Sequence, residues 1–129
     1  MTDTPWPHFN KTELQCHCGC GVMGMAPDFM SGLEKLRISY GLPLTITSGY
    51  RCPQHNSAVS HTGEHGPHTT GRAVDICIEG GEALRLLQLA QAQGFKRIGV
   101  SQNGAHGSRF IHLDTCTNPD YPSPALWSY

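Results

Sequence analysis

Two side chains with hard-metal donors, the imidazole of His68 and the carboxylate of Asp75, flank a glycine in the stretch His68-Thr69-Thr70-Gly71-Arg72-Ala73-Val74-Asp75. Beyond Gly71, residues 72–78 read as a short strand. Side chains alternate along a strand, so Val74, Ile76 and Ile78 share one face and Asp75 takes the other. A carboxylate facing away from an apolar row needs a partner or water, because a lone buried charge is expensive. A second alternating stretch, residues 109–115, puts Ile111 and Leu113 on one face and Phe110, His112 and Asp114 on the other. His112 is then a third donor, delivered from a neighbouring strand. Two imidazoles and one carboxylate, with a fourth position left to water, make the donor set of a catalytic zinc site. The competing reading has His68 on a surface loop and Asp75 on a strand, never meeting.

Taken together, His68-x-x-Gly71-x-Ala73-x-Asp75 and Phe110-Ile111-His112-Leu113-Asp114 resemble the zinc D-Ala-D-Ala carboxypeptidase and phage L-alanyl-D-glutamate endopeptidase family. The signalling domain of hedgehog proteins shares that family's fold. Upstream, Ser48-Gly49-Tyr50-Arg51 and the later Asn56 are similar to the family's Ser-Gly-Tyr-Arg segment and its downstream Asn. The resemblance covers roughly residues 29–115. Gly66 departs from it, standing where the family usually has Ser two residues before the first ligand, and so does a lengthened His-rich loop from His61 to His65. The resemblance implies zinc as cofactor, substrate binding by Arg51 and Tyr50, and peptidoglycan peptides as the partner.

The elements that must position these residues are legible in part. Pro27-Asp28 opens a helix, since proline tolerates the first helical position and an acid suits the positive end. Phe29, Leu33, Leu36 and Tyr40 fall on one face of it, and Gly41 ends it. Residues 42–47 alternate as a strand that runs into Gly49-Tyr50-Arg51. Residues 52–70 read as one long loop carrying His55, His61, His65 and His68; loops of that length in a compact domain are functional or mobile. A second helix starts at Gly80-Gly81-Glu82 and stops at Gly94. A third strand covers residues 96–101, and a turn at Gln102-Asn103-Gly104 leads through His106 to the His112 strand. The last two strands are joined too tightly for a parallel crossover. The expected class is therefore α+β, with a small, mainly antiparallel sheet, helices packed on one face and the zinc site on the other. The proline-rich tail should run extended, with Trp127 folded back on the body.

The chain's 129 residues suit a single peptidase domain, 1–129, in which residues 1–25 form an irregular Cys-rich arm. A formal charge of −1 gives no reason to expect nucleic-acid binding, and no apolar run is long enough for a membrane span. A monomer is expected. The amino terminus lacks an apolar signal core, so the chain is expected to be cytoplasmic as synthesised. With no separate wall-binding segment, it would act on the cell wall after release, as a phage or prophage lysis protein does. Cys16, Cys18 and Cys20 then read as thiols or metal ligands rather than disulfides. One-residue spacing strains tetrahedral coordination by three thiolates of a single run, so a packing role that pins the arm is the expectation. A second metal on Cys16, Cys18 and Cys20, with or without Cys52, is the alternative.

The chemistry these residues support is metal-assisted peptide hydrolysis, which needs a general base near the metal. Asp114, on the same strand face as His112, and His106, on a glycine-flanked loop before it, compete for that role; the resemblance favours a His shortly before the last ligand. Arg51 has the planar fork of donors that suits a substrate carboxylate, or else makes a structural salt bridge. His61, His65 and Glu64 are expected to be solvated. The expected function is hydrolysis of peptidoglycan stem peptides or cross-links by an endolysin-type endopeptidase or a DD-carboxypeptidase. A non-catalytic zinc-binding interaction module of the same fold is the alternative.

Overall fold

A computed structural model describes residues 3–129 of the chain. The order is helix α1 (Lys11–Leu14), helix α2 (Pro27–Tyr40), strand β1 (Thr45–Ser48), helix α3 (Pro53–Val59), strand β2 (Ala73–Cys77) and helix α4 (Gly80–Gln93). Strands β3 (Arg97–Ser101), β4 (Phe110–Asp114) and β5 (Ala125–Ser128) complete it. The strands form one sheet in the order β1-β2-β4-β3-β5, antiparallel except that β5 runs parallel to β3. The class is α+β, as the alternating patterns and the tight β3–β4 connection require.

Strand alternation divides the sheet into two chemically distinct faces. Val74, Ile76, Ile98, Ile111 and Leu113 face α2 and α4 and form the core with Phe29, Leu33, Leu36, Leu86 and Ala90. The opposite face carries the polar row. Asp75 pairs with His112, His112 with Gly99, and Gly99 with Trp127, so one line across four strands holds two candidate ligands and an indole. One residue pair along, Ala73 lies opposite Asp114 and Asp114 opposite Arg97. Both long helices begin and end where expected: Pro27 opens α2, and Gly41 and Gly94 close α2 and α4 in the left-handed region.

Three segments differ from the expectation. The arm is not irregular throughout: Asn10 caps α1 by accepting from the Glu13 amide at 3.0 Å. Phe9 and Leu14 are buried in the main core. A helix of one turn has no periodicity to read, and its cap is the only local signal. The loop 52–70 is also more ordered than expected, with α3 followed by 3-10 turns at Gly63–His65 and Pro67–Thr70. Its helix was hidden because the side chain it buries is polar, Asn56, rather than an apolar stripe. Trp127 does fold back, as part of an edge strand rather than an extended tail.

Candidate metal centre and cavity

His68 is the second residue of the 3-10 turn Pro67–Thr70, Asp75 is at the middle of β2 and His112 at the middle of β4. All three are buried, and a nitrogen or oxygen of each lies within 4.8 Å of the others. One carboxylate oxygen, Asp75 Oδ1, faces both imidazoles: 3.3 Å to His68 Nε2 and 2.9 Å to His112 Nδ1. The competing picture of a loop histidine remote from the strand carboxylate does not hold.

The far nitrogens of both rings are also engaged. His68 Nδ1 lies 2.7 Å from the carbonyl oxygen of Gly49. A carbonyl only accepts, so Nδ1 carries the proton and Nε2 presents its lone pair toward Asp75 and His112. His112 Nε2 lies 2.7 Å from Asp114 Oδ2 and donates to it, which leaves the lone pair of Nδ1 in the neutral ring free for a metal. Metal-binding histidines are held in this way, by a carbonyl or carboxylate on the other ring nitrogen. Both oxygens of Asp114 are engaged. It is fully buried, its Oδ1 accepts from Arg97 Nε at 2.7 Å and from the Cys116 amide at 3.1 Å, and its Oδ2 is the one on His112.

Electrostatics follow from this packing. Burial alone pushes the Asp75 carboxyl up, but the hydrogen bond from His112 and the two imidazoles beside it outweigh it, holding the group well below the usual carboxylate range. Burial pulls His112 down, and its bonds to Asp114 and Asp75 reverse that and raise it. The Asp114 carboxyl is likewise raised by burial and brought down further by His112 and Arg97. Without a metal, the carboxylates on either side of His112 favour its charged form. Two neutral imidazole nitrogens and a carboxylate oxygen, all buried and facing one another, fit zinc. His68, Asp75 and His112 would hold it.

The trio forms part of the wall of a cavity of about 600 Å³. Arg51 stands beside it, held at three points: Nε donates to Ser48 Oγ at 3.1 Å, Nη1 to Asn56 Oδ1 at 3.1 Å, and Nη2 is 3.6 Å from Asp75 Oδ2. Arg51 thus makes a salt bridge and also lines the cavity. Asn56 is itself fixed, with Nδ2 donating to Thr62 Oγ1 at 2.8 Å and to the Gly63 carbonyl at 2.5 Å. A Cβ on Gly66 would come within 2.0 Å of Thr62 Oγ1 and 2.8 Å of Asn56 Nδ2, which is why the serine expected there is absent.

Other expected site residues lie elsewhere. His106 is exposed on the 3-10 turn His106–Ser108, 2.5 Å from Glu79 Oε1, and is not among the residues lining the cavity. Tyr50 is half-buried against the core and also does not line the cavity. His61 and His65 are exposed, as expected, yet they do line it, together with Asp120. Four residues not expected at the site, Arg97, Tyr121, Trp127 and Tyr129, also line the cavity. Trp127 packs on His112 with ring centres 5.3 Å apart, and the Arg97 guanidinium lies over its face at 4.7 Å. Only Trp127, an aromatic in a proline-rich tail, carried a signal in the sequence.

A family model described as peptidase M15 covers residues 7–114, most of the chain. No curated protein matches.

Proposed function

The chain belongs to the peptidase M15 family, and from that membership we propose that it hydrolyses peptide bonds in peptidoglycan stem peptides or cross-links. Peptidases of this family are zinc-dependent. The observation that carries the reading is the convergence of His68, Asp75 and His112 on one point of a 600 Å³ cavity, with Arg51 beside Asp75. Zinc bound there supplies a Lewis acid for a peptide carbonyl and a water whose pKa drops from about 15.7 to near 7.

The chain's own residues supply the rest. His68 and His112 are kept in the ligand tautomer by the Gly49 carbonyl and Asp114, and Asp114 is thus a positioning residue rather than a base. Arg51, braced by Ser48 and Asn56, has N–H donors left for a substrate carboxylate. Trp127 and Tyr129 contribute aromatic surface to the cavity wall. Proton transfer to the departing amine falls to an ionisable side chain of the lining, His61, His65 or Asp120, and not to His106.

Digestion of purified peptidoglycan by the zinc-loaded protein, with new termini identified by mass spectrometry, tests this. New amino and carboxyl termini are expected from the parent and none from His112→Ala. Released D-Ala would mark a carboxypeptidase, and a new internal terminus an endopeptidase. A zinc-loaded parent that releases neither would leave the non-catalytic module as the reading.

A further inference from the structure

We propose that Cys16, Cys18, Cys20 and Cys52 form a second, structural zinc site, independent of the cavity. Their four Sγ atoms lie within 4.8 Å of one another. Three of the separations are 3.5 Å (Cys16–Cys18), 3.7 Å (Cys16–Cys52) and 3.6 Å (Cys18–Cys52). Four thiolates around zinc, each at about 2.3 Å, stand at the corners of a tetrahedron whose edge is about 3.8 Å. The observed separations match that edge. They are far too long for a disulfide at about 2.05 Å, and all six cysteines are free.

The strain expected from one-residue spacing is relieved by backbone that a strand or helix lacks. Gly19 and Gly21, with φ of 96° and 72°, curl the chain between and after the ligands, so three thiols of one run turn inward. Cys52 closes the set from the other side, just ahead of α3. Its amide donates to Cys16 Sγ at 3.3 Å, which suits a thiolate better than a neutral thiol. Around this point the arm is held by backbone bonds, from the Cys16 amide to the Val22 carbonyl at 2.8 Å and from the Tyr50 amide to the Leu14 carbonyl at 2.9 Å. All-thiolate tetrahedral sites of this kind select zinc among the divalent ions that keep no open coordination position. The site would tie the amino-terminal arm to the residue next to Arg51.

Metal analysis of protein purified under reducing conditions tests it. Two zinc equivalents are expected in the parent and one in the His68→Ala, His112→Ala variant. Adding Cys18→Ser and Cys20→Ser, both at exposed positions, should bring that variant to zero. Replacement of zinc by cobalt(II) gives a second readout, a thiolate-to-cobalt charge-transfer absorption in the cavity-ligand variant that the cysteine changes abolish. A single equivalent in the parent, retention of metal by the four-site variant, or loss of free thiols to disulfides in the reduced protein would each overturn the proposal. Loss of peptidase activity has no bearing on it, because the count is made with the cavity ligands removed.

Discussion

Asp75 Oδ1 shows how much one atom can be asked to do, since it meets both imidazoles while its partner oxygen meets Arg51. That crowding makes neighbouring substitutions informative. Arg51→Lys keeps the charge and loses both the bidentate fork and the brace to Asn56, so kcat/KM should fall by about 1–3 kcal/mol with zinc content unchanged. Equal turnover of peptidoglycan peptides by the variant would make Arg51 structural. Asp114→Asn should leave the fold intact but let His112 choose the wrong tautomer, weakening zinc by about 10–100-fold in a chelator competition. Unchanged affinity would mean that Asp114 serves only Arg97. Asp75 and His112 were legible from donor type and strand alternation, whereas His68, on a 3-10 turn, entered the set through the family resemblance. The role of Asp114 was not legible, since Arg97 lies on a third strand and nothing local announces that the two carboxylate oxygens are already taken.

Among elements, β5 does the least expected work. It adds a parallel strand beside β3 and brings Trp127 over Gly99, where a Cβ would lie 2.5 Å from the indole Nε1 and 2.7 Å from Cε2. Glycine is needed there for the close approach alone. Gly99→Ala should therefore displace the indole and cost about 1–3 kcal/mol, read as a lower Tm; a variant as stable as the parent would show that β5 is loosely held. The two long helices and four of the five strands could be read from periodicity, capping prolines and terminal glycines. What escaped, α1, α3 and β5, are elements of four to seven residues. Tertiary contacts rather than an apolar stripe decide such short pieces.

For the molecule as a whole, the buried charges set a pH window. Asp75 and Asp114 have folded pKa values below their unfolded ones, so their stabilisation is present above about pH 4 and is lost as pH falls further. His112 is raised, so its contribution is full below about pH 6.5 and is lost as pH climbs through the folded value. The metal-free protein should then be most stable between about pH 4 and 6.5, with Tm declining on both sides. Zinc takes the place of the Nδ1 proton, so a saturating excess should erase the alkaline decline and bind more tightly as pH rises. Thermal melts from acid to alkaline pH, with chelator and with zinc, check both halves. A metal-free Tm that keeps rising past neutrality would contradict the imidazolium assigned to His112.

Trp127 against His112 has one more consequence, an optical one. A protonated imidazole in contact with an indole quenches its emission by accepting an electron from the excited state, and a neutral one does so far less. With ring centres 5.3 Å apart, Trp127 should therefore brighten when His112 gives up its second proton. The chain has just two tryptophans, so Trp6→Phe would leave Trp127 as the sole emitter. Emission from Trp127 measured against pH in that variant would then report the charge on His112 with no dye attached, and an intensity that does not change through the titration would contradict the contact.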